Sequence, residues 1–223
     1  MKLSVLIPVY NEGESVKELL GRVLAVPVEK ELIVVDDCST DNTWDVLKSI
    51  QDQRVHVYHH EVNRGKGAGI CTALSHATGD LVIMQDADLE YDPSEYLKLL
   101  EPIQSGKAEV VYGVRDLSGQ TPLSRAGNQF LTAMTNLLYG AHIRDMETCY
   151  KMMPRELMQS LHLQPSRFQI EPEITGKLLR RGLAIYEVPI WYQPRKEKKL
   201  NPWRDGFPAL WTLVKYRFGD GIR

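Results

Sequence analysis

The residues Val82-Ile83-Met84-Gln85-Asp86-Ala87-Asp88-Leu89-Glu90 constrain this chain more than any other stretch. An apolar run ends abruptly in two carboxylates at i and i+2, with a third at i+4. A short apolar run bounded by polar residues reads as a buried strand, and open α/β sheets build their ligand crevices at the C-terminal ends of such strands. Side chains alternate along an extended segment, so Asp86 and Asp88 lie on one side of it. Two uncovered carboxylates repel unless a cation sits between them. Mg2+ and Mn2+ favour oxygen ligands of this kind and bridge to phosphate oxygens. The spacing therefore fits a metal–diphosphate site. It equally fits a helix N-cap with a solvated acidic turn, because Asp92-Pro93-Ser94-Glu95 follows.

The segments before this stretch alternate. Residues 3–9, 31–35 and 55–59 read as strands, and 109–114 as a fifth strand after it. Helices are expected from Ser15 to about Ala25, from Thr40 or Asp41 to about Ile50, from the glycine-rich turn Asn63-Arg64-Gly65-Lys66-Gly67-Ala68-Gly69 to about Thr78, and over residues 93–105. Ser15 is a candidate N-cap, and Leu19, Leu20, Val23 and Leu24 form the inner stripe of the first helix. The glycine-rich turn would expose backbone N–H groups suited to an anion. A β-α repeat with short connections argues for a largely parallel sheet with helices on both faces. Acidic or glycine-rich turns follow several strand ends, which places them on one edge.

The second half is less regular. Residues 124–139 form a helix with Phe130, Leu131, Met134, Leu137 and Leu138 inward. A short strand over 149–153, a short helix from Pro154, a helix ending at Gly182 and a strand over 183–190 follow. Residues 207–218 read as a helix with Phe207, Leu210, Trp211, Val214 and Phe218 on one stripe. Arg195, Lys196, Lys198, Lys199, Arg204, Lys215, Arg217 and Arg223 crowd the tail, although the whole chain of 223 residues carries a formal net charge of only −2. Such a balance gives no general affinity for nucleic acid. Cys38, Cys71 and Cys149 are three in number and lack metal-ligand spacing, which fits a reducing compartment. The N-terminus lacks a signal-peptide layout, and no apolar run approaches the roughly 20 residues that span a bilayer.

The turn Pro8-Val9-Tyr10-Asn11-Glu12, the segment Val34-Val35-Asp36-Asp37-Cys38-Ser39-Thr40-Asp41-Asn42-Thr43 and the Asp86-Ala87-Asp88 end resemble, in order and spacing, the family 2 glycosyltransferases. Within that family the chain is most similar to the dolichyl-phosphate mannose synthase and polyprenyl-phosphate glycosyltransferase group. The resemblance implies an α/β GT-A fold, the nucleotide-diphospho-sugar transferase fold: a mostly parallel central sheet with helices on both faces and here a C-terminal amphipathic helix. It divides the chain into a catalytic domain over 1–194 and a basic amphipathic tail over 195–223. The catalytic domain comprises a nucleotide-sugar-binding half over 1–116 and an acceptor-side half over 117–194. It further implies a nucleotide-sugar donor, Mg2+ or Mn2+, and an inverting transfer. Pro8, Tyr10 and Glu12 then fall where the family holds base and ribose, and Asp37 where an acid contacts the nucleoside. Asp86 and Asp88 match the pair that positions metal and diphosphate, with Glu90 as a third ligand where relatives often have Gln. Lys66 is either a cation screening the diphosphate or a surface charge. Arg115 and Arg125 match basic positions that hold acceptor phosphate, and Asp88, Arg115 and Arg125 are the residues expected to carry turnover. The segment Asp145-Met146-Glu147-Thr148-Cys149-Tyr150-Lys151 replaces a Ser-Gly-Phe form found in several lipid-phosphate enzymes, which leaves the acceptor open.

Two acceptors are compatible with these residues. A phosphomonoester needs no base, because its second pKa lies near 6 and it is already largely dianionic. A saccharide hydroxyl needs one, and Asp145, Glu147, Glu171 and Glu173 are the candidates. The C-terminal stripe beside lysines and arginines has the composition of an interfacial helix, or of a helix packed on its own core. The tail and the resemblance together favour polyprenyl phosphate, dolichyl or undecaprenyl, reached by a peripheral enzyme on the cytoplasmic face of a membrane. The alternative is transfer to a saccharide hydroxyl in polysaccharide assembly. A receiver domain fits less well, because the first strand ends in Pro8 and Tyr10 rather than an acid pair. A dehydrogenase also fits less well, because the first turn lacks G-x-G-x-x-G.

Overall fold

The computed structural model describes residues 1–165, 169–195 and 202–219, with side chains in the last segment from residue 206 onward. Seven strands form one sheet in the order β3-β2-β1-β4-β6-β5-β7. β1 (Leu3–Val9), β2 (Lys30–Asp36), β3 (Val55–His59) and β4 (Leu81–Met84) are parallel neighbours, and all but β3 are buried throughout. β5 (Val110–Arg115) pairs in parallel with β7 (Ile185–Ile190). Between β4 and β5 lies β6 (Lys151–Pro154), antiparallel to both. The mostly parallel sheet expected from the alternation is therefore present, with one reversed strand inserted.

Strand order reverses at β1, since β2 and β3 lie to one side and β4 to the other. A crevice opens at such a switch point, beyond the carboxyl ends of the strands. The registers Leu6↔Met84 and Val9↔Asp36 bring the turns after β1, β2 and β4 to that crevice. These turns carry Tyr10 to Glu12, Asp37 to Thr43 and Asp86 to Glu90. Among the described residues, three of the four non-glycine residues with positive φ stand there: Asn11 at 53°, Cys38 at 60° and Leu89 at 60°. A β-carbon disfavours this region, and such strain concentrates where the surrounding structure holds a site. Here the restraints are explicit. Ser39 Oγ accepts from the Asn11 amide, Asn11 Oδ1 accepts from the Thr40 amide, and Asp88 Oδ1 accepts from the Glu90 amide.

Helices α1 (Val16–Ala25), α2 (Thr43–Lys48), α3 (Lys66–His76) and α4 (Tyr96–Gln104) follow β1 to β4, the last preceded by a single 3-10 turn over Pro93–Glu95. α1 buries Val16, Leu19, Leu20 and Val23, while Leu24 is half-buried. Ser15 stands at the N-cap position of α1 as expected, but its side chain makes no capping hydrogen bond. Its hydroxyl instead donates to the Ala87 carbonyl at 2.9 Å, tying the first turn to the β4 turn. Gly69 lets α3 lie against β1, since a β-carbon there would sit 2.9 Å from Pro8 Cβ.

The second half holds α5 (Pro122–Tyr139), α6 (Arg155–Ser160), α7 (Ile170–Arg180) and α8 (Pro202–Phe218). Gly182 ends α7 with φ 72°, as its expected capping role requires. The inner stripe expected for α5 is only partly correct. Leu131 is buried with Thr132 and Thr135, Met134 and Leu138 are half-buried, and Phe130 and Leu137 are exposed by 54% and 76%. On α8 the expected stripe points outward at Phe207, Trp211 and Phe218, while Ala209 and Leu213 face a small second core with Leu131, Ile143 and Met146. Among the described residues no helix is long and apolar enough to cross a membrane. Lys196, Lys198, Lys199 and Arg223, and the Arg204 side chain, lie outside the described residues.

Opposite the crevice, Glu31 is buried and accepts hydrogen bonds from Lys2, Ser4 and Thr78. Burial opposes its charge, but these donors together outweigh it and hold its pKa down at about 2. A carboxyl with a depressed folded-state pKa contributes stability that is present above its unfolded value, near 4.5, and lost as pH falls toward 2. Chemical denaturation from pH 6 to pH 2 should show stability falling through this window, and Glu31→Gln should flatten that part of the profile.

Candidate active site

Asp86 and Asp88 project from the turn after β4, fixed from behind by Gln85. Gln85 is fully buried, its Oε1 accepts from the hydroxyls of Tyr96 and Tyr150 at 2.6 Å each, and its amide donates to the Asp86 carbonyl at 2.8 Å. Burial, followed by the neighbouring charges of Asp86 and Glu90, pushes Asp88 up to about 7. Asp88 is thus the carboxylate of this turn that its surroundings compensate least. Among the described residues no group of three or more acids, histidines or cysteines is arranged to enclose a metal ion. Mg2+ is commonly held by one or two carboxylates together with substrate phosphates and water, and Asp86 and Asp88 fit that incomplete set.

Glu90 is engaged elsewhere. Its carboxylate accepts from the Tyr192 hydroxyl at 2.6 Å and from the Arg195 amide at 2.9 Å. Arg195 was not singled out by sequence reasoning, yet it spans the crevice. Its guanidinium donates to both Glu12 carboxylate oxygens, at 3.1 and 2.8 Å, and to the Asp88 carbonyl at 2.8 Å. Its place at the head of a basic run was the one available signal, and a run of charge does not identify the member that reaches inward.

Lys66 is not a surface charge. At the start of α3 its ammonium lies 2.6 Å from both Asp86 Oδ1 and Glu171 Oε1. Burial works against the ammonium, but these two carboxylates outweigh it and keep it charged. Glu171 belongs to the first turn of α7, so this bridge joins the two halves of the chain at the crevice. Pro8 is buried under α3, and Tyr10 is 40% exposed at the rim.

The glycine-rich turn before α3 does bind an anion, but the anion belongs to the protein. Asp37 is 3% exposed and accepts from the Arg64 amide at 2.9 Å, the Gly65 amide at 2.6 Å and His60 Nδ1 at 2.7 Å. The expectation that this turn offers free N–H groups to a ligand is corrected accordingly. Asp37 joins the second strand turn to the third, close to the crevice.

Arg115 and Arg125 differ in setting. The Arg115 side chain is 8% exposed and forks onto Asp145, with Nε to Oδ2 at 2.7 Å and Nη2 to Oδ1 at 2.8 Å. Burial opposes the Asp145 charge, but Arg115 outweighs it and holds that carboxyl below its usual range. Asp145 is thus a poor proton acceptor. Glu173 is also occupied, by Lys177, the Gln164 amide and the Tyr216 hydroxyl. Glu147 differs: burial, then Glu171, push it up to about 7, and its Oε1 is buried without a hydrogen-bond partner among the described residues. Arg125 stands exposed in the first turn of α5, with no carboxylate engaging it among the described residues.

Removing one partner of a buried ion pair leaves the other uncompensated, at a typical cost of 3–5 kcal/mol. Arg115→Ala should therefore lower stability by about 3 kcal/mol or more, read by urea unfolding, whereas Arg125→Ala should stay within about 0.5 kcal/mol of the parent. Equal stabilities would mean that the Arg115–Asp145 pair contributes little to the fold.

The family model for glycosyl transferase family 2 matches residues 4–161. An undecaprenyl-phosphate mannosyltransferase of Micrococcus luteus is 27% identical over 98% of this chain and the whole of that protein. A polyprenol monophosphomannose synthase of Mycolicibacterium smegmatis is 30% identical over 86% of this chain and 77% of its own length. Among solved structures, the glucosyl-3-phosphoglycerate synthase of Mycobacterium tuberculosis, in complex with Mn2+, uridine diphosphate and glucosyl-3-phosphoglycerate, superposes over the whole chain. It does so with a TM-score of 0.80 at 22% identity, covering 81% of the solved chain, so the GT-A fold is shared. The chain belongs to glycosyltransferase family 2 and is a glycosyltransferase.

Proposed function

We propose that the protein transfers a hexose from a nucleotide-diphosphate sugar, GDP-mannose or a UDP-hexose, to a polyprenyl phosphate with inversion at the anomeric carbon. The observation that carries this reading is the placement of Asp86 and Asp88 in one turn at the switch-point crevice, where Lys66 engages Asp86 and no cation pairs with the Asp88 carboxylate among the described residues. The named activities of the bacterial relatives support the acceptor. Mn2+ or Mg2+ beside uridine diphosphate in the solved neighbours supports a divalent cation held by Asp86 and Asp88. Bound there, such a cation would supply neutralisation of the charge that gathers on the leaving diphosphate.

The chain's own residues do the rest. The turns carrying Tyr10, Glu12 and Asp37 form the nucleoside side of the crevice. Lys66 and Arg195, the two cations already gathered at the carboxylate turn, provide further positive charge for the leaving diphosphate. Arg125, exposed in the first turn of α5, offers a planar fork to the acceptor phosphate. One acceptor oxygen forms a bond to the anomeric carbon as the bond from that carbon to the nucleoside diphosphate breaks, and the nucleoside diphosphate leaves with the electron pair. A dianionic acceptor has no proton to surrender, so Asp145 and Glu173 are free to act structurally.

One observation favours a second reading. The unpartnered Oε1 of Glu147 and its raised pKa suit a base acting on a saccharide hydroxyl. Offering polyprenyl phosphate, the dephosphorylated polyprenol and free sugars with a panel of GDP- and UDP-sugars and Mn2+ separates the two. Transfer to the phosphate alone is expected, with Glu147→Gln retaining most turnover. Equal transfer to an alcohol or free sugar, abolished by Glu147→Gln, would overturn the phosphate reading. Asp88→Ala should lower turnover by about 10²-fold or more and remove the metal-dependent part of nucleotide binding.

A further inference from the structure

Eleven large hydrophobic residues are exposed among the described residues, and six of them stand on two helices packed side by side. On α5 these are Leu123, Phe130 and Leu137, spaced by seven residues and exposed by 57%, 54% and 76%. On α8 they are Phe207, Trp211 and Phe218, exposed by 66%, 68% and 69%. A spacing of seven is two helical turns, so each set forms a line along one face. The opposite faces are accounted for, because Leu131 on α5 and Ala209 and Leu213 on α8 share the small second core. Two hydrogen bonds fasten the helices edge to edge: Tyr139 hydroxyl to the Leu213 carbonyl at 2.8 Å, and Arg217 Nε to the Leu138 carbonyl at 2.7 Å. The two helices are thus fastened to each other with both apolar lines exposed.

Charge indicates what covers this face. The sequence of α5 contains no carboxylate and one cation, Arg125. That of α8 contains Arg204, Lys215 and Arg217 against the single acid Asp205. Yet Asp and Glu outnumber Lys and Arg in the whole chain by 29 to 27. Acids are thus depleted where the exposed aromatics gather. Large apolar side chains on a convex helical surface, flanked by lysine and arginine, match the boundary between acyl chains and anionic headgroups.

We infer that the shared outer face of α5 and α8 is the surface by which this protein lies on an anionic lipid bilayer. The inference extends the tail-borne attachment expected from sequence to α5, whose outward stripe sequence reasoning placed in the core. It deepens the acceptor reading above and rests on it for one consequence only. The first turn of α5 carries both Leu123, which begins the exposed line, and Arg125, which two residues on points to the other side of the helix, so a lipid phosphate drawn past the edge of the face would meet that arginine while its polyprenyl chain stayed in the lipid. At 18 residues α5 is roughly 27 Å long, which allows one end to stand at the crevice while the rest lies along the membrane.

The experiment uses the full chain and vesicles of phosphatidylcholine, with and without 30 mol% phosphatidylglycerol, in a flotation assay without any substrate. Parallel turnover is measured on a short two-isoprene polyprenyl phosphate in detergent-free buffer. The parent should float with the anionic vesicles. Leu137→Glu and Phe218→Glu should each lower the bound fraction, and the double variant by at least about tenfold, with unchanged thermal unfolding and turnover on the short acceptor within twofold. Unchanged flotation of the double variant overturns the inference, as does a parent that forms dimers which the same substitutions dissociate. If the parent floats as expected but transfers sugar to no phosphorylated lipid, the bilayer surface stands and the acceptor reading fails.

Discussion

The crowding of negative charge at the end of β4 is the interaction on which the rest of the arrangement turns. Asp86, Asp88 and Glu90 are held within one short turn, and Leu89 adopts a left-handed backbone between the last two. Carboxylates so close repel unless positive charge is provided. The fold provides some of it from two distant places. Lys66 comes from the start of α3 and Arg195 from the segment after β7. Lys66 also binds a second acid, Glu171, and the Arg195 guanidinium binds the Glu12 carboxylate beside the Asp88 carbonyl. The same electrostatic need therefore binds α3, α7, the β1 turn and the tail to one point, and still leaves Asp88 with a raised pKa.

A second theme is that charged residues at the crevice act mostly in pairs. Arg115 is satisfied by Asp145, Lys66 by Asp86 and Glu171, and Asp37 by the turn that precedes α3. Fully hydrogen-bonded buried charges hold a geometry, because releasing either partner leaves the other desolvated and unpaired. Among the described residues Asp88, Glu147 Oε1 and the exposed Arg125 at the head of α5 are not paired in this way. These differ from their neighbours in having bonding capacity that the fold itself does not use.

Much of the first half was legible from sequence because its signals are local. Apolar strands, helical stripes and polar turns alternate from β1 to β5, and the turns sit at strand ends whose parallel pairing places them on one edge. The family resemblance drew on those turns. What escaped depends on pairing between distant residues. β6 pairs through so few residues that its reversed insertion between β4 and β5 leaves almost no pattern. Asp145 lies 30 residues from Arg115, and Arg195 lies 183 from Glu12. The inward face of α5 was misread because apolar residues occur on several sides of that helix, and periodicity cannot rank two stripes when both are apolar. The same ambiguity on α8 ended differently, since the stripe read from sequence is the one left facing outward.

The contact between Gly69 and Pro8 shows how little slack this arrangement has. One methyl group at position 69 would meet Pro8 Cβ at 2.9 Å, so α3 or β1 would have to give way. α3 begins three residues earlier with Lys66, whose ammonium spans two carboxylates at 2.6 Å each. A side chain has freedom to follow small shifts, but not toward both acids at once if its helix is levered off the sheet. The missing β-carbon at Gly69 thus acts as a spacer of zero thickness, setting how far α3's cation can stand from the acids it separates.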